Sequence, residues 1–260
     1  MTHIIQLLPA FLLVFLRLTA FFVSAPIFST RSIPTTYKIG LSFFLALIAF
    51  PMVKAGAPIP VDWHYVYLAI KEVLVGLILG FIGTLLLSAI QIAGSFIDMM
   101  LGLAIASVFD PMTGTQSPLM GNFKYMLTIL FILSVNGHHL LIEGVLSSYH
   151  VVPLDRWISG FGNGSLSAFL MQKFSYMFMS GLLLAAPMIS SMFVIDVALG
   201  IVAKTVPQMN IFVVGMPAKI IAGFLILIIV FPGYFFVMTR LLEVLFSSMA
   251  QMIAIMGERQ

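Results

Sequence analysis

Long runs of apolar residues, separated by short polar or Pro/Gly-marked breaks, dominate this chain. The runs cover residues 4–28, 39–53, 66–106, 124–147, 168–203 and 211–255. Runs of this kind predict hydrophobic α-helices, since a helix that crosses a bilayer needs about 20 consecutive apolar residues. The pattern therefore predicts an all-α, polytopic membrane-system protein built from hydrophobic helices and hairpins. No repeat at solenoid spacing is visible, and we predict a single domain over 1–260.

Two of the runs have lengths that do not match one bilayer crossing. Run 39–53 would reach only about 22 Å as a helix, whereas the hydrocarbon core is about 30 Å thick. Run 66–106 is too long for one straight span, and we expect it to bend or end at Gly94 or Gly102. The lengths thus predict short and broken helices beside ordinary spans.

Prolines predict two further breaks. Pro187 lies inside run 168–203, and we expect the helix to divide there because proline lacks an N–H and clashes with the preceding turn. The sequence Phe231-Pro232-Gly233 predicts a turn or kink in the last run. The two helices expected around it are 212–230 and 234–255.

Ionisable residues lie inside the apolar runs. They include Arg17, Lys71, Glu72, Asp98, Glu143, Asp196, Lys219, Arg240 and Glu243. A charged residue at the centre of a membrane helix costs about 2.5–3.5 kcal/mol on the insertion scale. We therefore expect these side chains to face protein or a water-filled lumen instead of lipid. Two pairs fall within one helical turn, His139 with Glu143 and Arg240 with Glu243.

Composition narrows the class of protein. Of the 260 residues, 61% are hydrophobic and 8% are charged, whereas a soluble domain has about 45–50% apolar and about 25% charged residues. Such a chain has to lie against lipid or partner subunits, which argues against a soluble enzyme or a nucleic-acid-binding protein. The absence of cysteine excludes disulfides and zinc–thiolate sites. The first run lacks a basic start and contains Arg17, so we expect it to remain in the mature protein.

The residues most typical of a metal or proton-transfer site are Asn136-Gly137-His138-His139 with Glu143. Two histidines and a carboxylate could bind a metal or relay protons. However, adjacent histidines point about 100° apart on a helix, and a third metal ligand is missing. We therefore predict a structural cluster and no metal site, cofactor or catalytic centre.

A G-x-x-x-G pattern links Gly76 and Gly80, on the helix that begins near Lys71 and Glu72. Glycines at this spacing let two helix backbones approach closely. The four residues are candidates for a subunit-packing face, and packing inside the chain is an equally good alternative.

Residues 107–123 form a polar stretch rich in Pro, Gly, Ser and Thr that directly follows a helical run. Asp110-Pro111 is typical of a turn, because aspartate bonds backbone amides and proline fixes φ. No carboxylate pair, nucleophile–base pair or phosphate-binding glycine loop accompanies it. We therefore predict a mechanical role for this stretch, as a loop that lies in a passage.

Motifs along most of the chain resemble the FliR/SctT family of type III export-gate proteins. The matching stretches include FVSAPIFS at 22–29, KEVLVGLILGF at 71–81, AIQIAGSFIDMMLGLAIASVFDP at 89–111, NGHHLL at 136–141, APMISSMFVIDVALGIVAKTVPQMNIF at 186–212 and VGMPAK at 214–219. The resemblance is specific because the order and spacing of many unrelated motifs agree.

The resemblance implies a fusion of the FliP and FliQ folds and a role in flagellum assembly. One such chain would join several FliP-type and FliQ-type subunits, beside an FlhB-type neighbour, in the gate through which unfolded flagellar proteins leave the cytoplasm. The implied location is the bacterial inner (cytoplasmic) membrane, within the flagellar basal body. The resemblance implies no enzyme activity, because proton motive force and a separate ATPase drive export.

By the same resemblance, the loop after Gly102 plugs the closed pore. The residues carried over to this chain are Phe109, Asp110, Pro111, Gln116 and Pro118. We expect deletion of 110–118 to let small ions leak without abolishing assembly.

Two other functions stay open on the residues alone. A secondary transporter or ion channel would use an intramembrane His/Glu site, and its ionisable residues should converge near the midplane around broken helices. An intramembrane enzyme built on His138, His139 and Glu143 would need a further ligand or nucleophile. A transporter should be stable by itself or as a homo-oligomer, whereas a gate subunit should need other subunits.

Overall fold

The computed structural model describes residues 2–30, 32–53, 59–60, 62–103, 118–155, 164–208 and 210–257, with side chains from Leu7 onward except at 211 and 212. Seven α-helices occupy these residues. They are α1 (Thr2–Ser24), α2 (Thr35–Ala49), α3 (Trp63–Leu101), α4 (Leu119–Ser134), α5 (Gly137–Val151), α6 (Ser165–Thr205) and α7 (Ile211–Gly257). A 3-10 turn, Phe50–Met52, follows α2. The described residues contain no strand, which confirms the predicted all-α fold.

Five helices are long and apolar enough to cross a membrane. They are α1, α3, α6, α7 and α2 together with its 3-10 turn. A sixth crossing is possible if α4 and α5, which are bent by 74° to each other, act as one broken span. Length and composition therefore give a polytopic membrane protein, as predicted.

Helix α3 ends at Gly102, which is one of the two positions where the sequence predicts a bend or an end. Its φ of +77° lies in the left-handed region that glycine adopts without a Cβ clash. The N–H of Leu103 donates to the Asp98 carbonyl at 3.0 Å, and the N–H of Gly102 donates to Met99 at 3.2 Å. These two bonds form a Schellman motif, which satisfies carbonyls that the helix end leaves open. Gly94 does not interrupt the helix.

The predicted division of two helices at proline is wrong. Helix α6 continues through Pro187, and α7 continues through both Pro217 and Pro232. Proline is tolerated inside membrane helices because neighbouring helices, hydroxyl side chains and local adjustments satisfy the freed carbonyls. The expected pair 212–230 and 234–255 is thus one helix of 47 residues.

A break that the hydrophobic pattern does not reveal separates α4 from α5. Asn136 lies there at φ +57°, in the left-handed region that asparagine tolerates better than most residues. The N–H of Asn136 donates to the Leu133 carbonyl, and the N–H of His139 donates to the Asn136 carbonyl. The apolar run 124–147 therefore belongs to two helices.

The chain forms two compact units. Unit 1 comprises 1–86, 132–174 and 242–260, and unit 2 comprises 87–131 and 175–241. Helices α3, α4, α6 and α7 each contribute residues to both units, so the units are not consecutive stretches of chain. The prediction of one domain over 1–260 stays a prediction.

Each unit has its own apolar core. In unit 1, Leu13 and Phe21 of α1 are fully buried, as are Leu68 and Leu79 of α3. In unit 2, the core cluster consists of Ala93, Ile97, Leu101, Met120, Ala185, Met188 and Met192, from α3, α4 and α6. Methionine suits such a core because its flexible side chain fills irregular gaps.

Candidate functional site

Arg17 is the centre of a polar network in unit 1, and its side chain is fully buried. Its Nε and Nη2 donate to the two carboxylate oxygens of Glu72 at 2.5 and 2.9 Å. Nη1 donates to Ser148 Oγ at 2.9 Å, and Nη2 also donates to the Val152 carbonyl at 2.8 Å. The guanidinium carbon lies 4.1 Å from the centroid of the Tyr149 ring. The buried charge is thus matched by a bidentate partner and further acceptors, which makes its burial sustainable.

Lys71 extends the same network. Its Nζ lies 2.7 Å from Glu72 Oε1 and donates to the carbonyls of Pro153 and Leu154 at 2.7 and 3.1 Å. One carboxylate therefore serves two cations. Because the acceptors lie on three parts of unit 1, the network ties α1 and α3 to the chain that leaves α5.

Gly76 and Gly80 lie where α3 contacts α1 of the same chain. A Cβ added at Gly76 would lie 2.9 Å from Ala20 Cβ, and one at Gly80 would lie 2.6 Å from the Ala25 nitrogen. Such distances leave no room for a side chain. The close approach that the G-x-x-x-G pattern predicts thus occurs within the chain, while contact of this face with another subunit stays a prediction.

Asp98 joins the end of α3 to the start of α4 in unit 2. The N–H of Met120 donates to its carboxylate, with 3.0 Å between N and Oδ2. An acidic side chain at this position satisfies an open N–H and complements the positive end of the helix dipole. Nearby, a Cβ at Gly94 would collide with the Gly121 backbone. The two helix ends that flank residues 104–117 are therefore held together by a charge-assisted bond and a glycine contact.

A second polar link in unit 2 joins α4 to α7. The Tyr234 hydroxyl donates to the Lys124 carbonyl at 2.7 Å and lies 2.8 Å from Thr128 Oγ1. The Lys124 ammonium lies 5.3 Å from the centroid of the Tyr234 ring. All three side chains are buried, so the link replaces hydrogen bonds to water inside an apolar region.

Asp196 of α6 and Lys219 of α7 form a very different ion pair. The Lys219 ammonium lies 2.6 Å from Oδ1 and 2.8 Å from Oδ2. The lysine side chain is 15% exposed and the carboxylate side chain 42% exposed. The pair borders an open cleft of about 300 Å³ in unit 2.

Comparison with known proteins identifies the family. The profile described as "Bacterial export proteins, family 1" matches residues 8–245. The chain belongs to this family. It is 45% identical to the flagellar biosynthetic protein FliR of Bacillus subtilis (strain 168), over 99% of both chains. It is also 30% identical to the Escherichia coli (strain K12) protein of that name, over 92% of this chain and 89% of the other. The predicted family is confirmed, and the chain is a component of the flagellar export apparatus.

The predicted plug of this export protein falls largely outside the described residues. Phe109, Asp110, Pro111 and Gln116 lie there. Pro118 is described and directly precedes α4, where its carbonyl accepts the N–H of Asn122 at 2.9 Å. Pro118 therefore supplies an acceptor for the first turn of α4, and the plug role stays a prediction.

His138 and His139 lie side by side at the start of α5. The rings of His138 and His139 are 4.2 Å apart, and His138 Nδ1 is buried without a hydrogen-bond partner. Within the described residues, no group of three or more His, Asp or Glu side chains could hold a metal ion. Glu143 borders a separate cleft beside Ser147 and His150.

Residue spacing within one helical turn did not predict the ion pairs Arg17–Glu72 and Asp196–Lys219. Glu72 is 55 residues from Arg17 and Lys219 is 23 residues from Asp196. A signal was present in each case, because the apolar runs hold both a cation and an acid that hydrocarbon would not accommodate alone. Such residues indicate that a cation in one apolar run pairs with an acid in another run.

Proposed function

We propose that this chain is a core subunit of the flagellar type III export gate in the inner (cytoplasmic) membrane of the basal body. It assembles with FliP-type and FliQ-type subunits, beside an FlhB-type subunit, around the channel for unfolded flagellar proteins. Membership in the export family and full-length similarity to FliR proteins support this proposal.

The observation that carries the proposal is that the long helices differ in how much of their apolar surface is buried within the chain. In an apolar 18-residue stretch of α3, 61% of the residues are buried within the chain, whereas only 17% are buried in the corresponding stretch of α6 and 11% in that of α7. Exposed apolar faces of this size need lipid or protein against them. Asp196 lies within the exposed α6 span, and an acidic group is costly against hydrocarbon. A protein or a hydrated passage therefore covers at least this part of α6.

Export from cells tests the proposal. A strain that lacks this chain should release no flagellar filament protein into the medium and should not swim, and a plasmid copy should restore both. The control is membrane insertion of the chain, measured by blotting isolated membranes. Normal release of filament protein by the deletion strain would contradict the proposal.

The loop seal forms part of the proposal and needs its own test. Pro118 contributes to the first turn of α4, so the sharper variant removes 110–117 and keeps Pro118. This variant should assemble and should raise the ion conductance of membranes that contain the gate. The control is the wild-type chain, present in the membrane at the same level. Unchanged conductance in an assembled complex would contradict the seal.

A further inference from the structure

Helix α2 has its polar and small residues inside and its large apolar residues outside. The buried positions recur at helical spacing and are Lys38, Ser42, Ala46 and Ala49. Between residues 39 and 48 the exposed side chains are all large and apolar, and they are Ile39, Phe43, Phe44, Leu47 and Ile48. A helix that faces water shows the reverse arrangement. These five exposed residues, the outer face of α2, therefore belong against a nonpolar medium.

The outer face of α2 lacks the features by which membrane helices bind one another. Such contacts use small residues, which let backbones approach, and polar side chains, which bond across the interface. The Ser42 hydroxyl is buried and donates to the Lys38 carbonyl at 2.7 Å, and Ala46 is fully buried. Gly40 alone among the small residues of 39–48 reaches the surface, without a second small residue at the paired spacing. The outer face therefore favours lipid acyl chains over a protein helix.

The length of α2 fits one crossing of the hydrocarbon core. Thr35–Met52, which includes the 3-10 turn, has 18 residues and spans about 27 Å, against about 30 Å for the core. Tyr37 is 62% exposed at one end of this span. Near the other end, exposed Trp63 begins α3, and Phe50 and Tyr65 both contact the start of α1. Tyrosine and tryptophan are enriched at the two membrane–water interfaces, which places the start of α2 at the depth of the lipid headgroups.

Lys38, in the second turn of α2, is a buried cation without a carboxylate. It is only 8% exposed. Arg17, Lys71 and Lys219 each pair with an acid, whereas Lys38 forms no ion pair within the part of the chain that the structure describes. Its Nζ donates to the Thr30 carbonyl over 3.5 Å, which is long for a hydrogen bond. Because an ammonium has three N–H donors, Lys38 keeps capacity for an anion.

The first turn of α2 attracts an anion as well. Pro34 is the N-cap residue and no side-chain cap satisfies the N–H groups that follow it. These donors and the positive end of the helix dipole favour a negatively charged group, and phosphate is a common one. Lys38 lies one turn further along the same helix. A phospholipid matches this arrangement, because it joins a phosphate at headgroup depth to acyl chains that suit the outer face.

We propose that α2 binds an anionic phospholipid, with its phosphate at Lys38 and the first turn and its acyl chains along the outer face. The inference adds a lipid site to this chain and does not depend on a role in export. Free inorganic phosphate and a covering protein subunit are the competing occupants.

Quenching by brominated lipid tests the headgroup contact. The full chain carries Tyr37→Trp as its single tryptophan, with Trp63→Phe and Trp157→Phe, and is reconstituted in phosphatidylcholine vesicles with increasing brominated phosphatidylglycerol. We expect preferential quenching by the anionic lipid, and Lys38→Gln should lower that preference about fivefold. Lys38→Arg should keep it. Lys173→Gln removes an equal charge from α6 and is the matched control, which should behave as the parent chain does.

Three outcomes of this titration would overturn the inference. The first is equal preference in Lys38→Gln and the parent chain. The second is an equal loss in Lys38→Gln and Lys173→Gln, which would indicate general attraction to a charged surface. The third is release of the brominated lipid by excess inorganic phosphate, which would assign the site to the free anion. Quenching by brominated phosphatidylcholine shows in each variant that the chain is inserted.

Photo-crosslinking tests the outer face in the assembled protein. A photoreactive phenylalanine analogue replaces Phe44, which is 66% exposed, in cells that also produce FliP-type, FliQ-type and FlhB-type subunits. Irradiated membranes are analysed by mass spectrometry of the tagged chain. We expect phospholipid adducts at this position. A protein adduct there would show that a subunit covers the outer face and would overturn the inference.

Discussion

Two ion pairs in the described part of this chain, Arg17–Glu72 and Asp196–Lys219, show two ways to place charge in a hydrophobic protein. In unit 1, Arg17 and Glu72 have no exposed side-chain surface, and every contact described above lies within the chain. In unit 2, Asp196 leaves 42% of its side chain exposed beside an open cleft. The first arrangement is complete without any partner. The second leaves acceptors that only another molecule or water can satisfy.

The comparison separates what holds the chain together from what the chain offers to other molecules. A buried charge that loses its partner destabilises the fold strongly, while an exposed pair contributes little to stability. We therefore expect damage to the Arg17 network to affect the chain itself. Damage at Asp196 should affect assembly far more than folding.

Removing the shared carboxylate should have the largest effect. Glu72→Ala leaves Arg17 buried without its bidentate partner, which should lower the free energy of unfolding by about 3–5 kcal/mol. Unfolding of the purified chain in detergent, followed by circular dichroism against denaturant, measures this change. The triple variant Arg17→Met, Lys71→Met and Glu72→Leu should be much less damaging, because neither buried cation remains without its carboxylate. Equal damage in the single and triple variants would contradict a charge-based explanation.

Crowding the contact between α1 and α3 should have the second-largest effect on stability. Gly76→Ala places a Cβ against the Arg17 carbonyl and within 3.0 Å of the Phe21 nitrogen. Overpacking of this kind should lower the free energy of unfolding by about 1–3 kcal/mol. Gly40→Ala on α2 is the matched control, because nothing lies within 4 Å of an added Cβ there. A Gly76 variant as stable as the Gly40 variant would show that this approach is looser than described.

The bond from Asp98 to the start of α4 should have a smaller effect. Asp98→Ala removes the acceptor for the Met120 N–H, and loss of such a cap costs about 0.5–2 kcal/mol. Hydrogen exchange of the Met120 amide should accelerate, while exchange in the middle of α4 stays slow. Asp98→Asn keeps an acceptor and should fall between wild type and alanine. Unchanged exchange at Met120 in Asp98→Ala would refute the capping role.

The exposed pair should contribute least to the stability of the isolated chain. Asp196→Ala should change the free energy of unfolding by less than about 1 kcal/mol, since exposed ion pairs contribute little. The same denaturant titration used for Glu72→Ala gives the comparison directly. A loss as large as that of Glu72→Ala would erase the distinction between the two pairs.

Much of the fold follows from the sequence because hydrophobic helices leave a direct trace in the pattern. The apolar runs locate the helices, and Gly102 ends α3 because a left-handed residue is needed there. The predicted helix breaks at Pro187 and Pro232 are wrong. Proline breaks helices in water, whereas helices in an apolar setting accommodate it. The bend at Asn136 was not predicted, although the dipeptide Asn136-Gly137 is typical of turns.

The candidate sites were less accessible to sequence reasoning. Composition predicts that Arg17 and Asp196 need partners, yet residue spacing cannot say which partner folds beside them. Glycine spacing predicted a close approach at Gly76, but it does not distinguish a helix of the same chain from a helix of another. These are properties of the tertiary fold, which a local pattern does not encode.

The most direct test of the central claim is the mass of the intact complex. The tagged chain is co-expressed with its FliP-type, FliQ-type and FlhB-type subunits, purified in detergent and weighed by native mass spectrometry. The account predicts one particle with a single copy of this chain and several copies of FliP-type and FliQ-type subunits. A particle that contains only this chain, whatever the other subunits present, would contradict it.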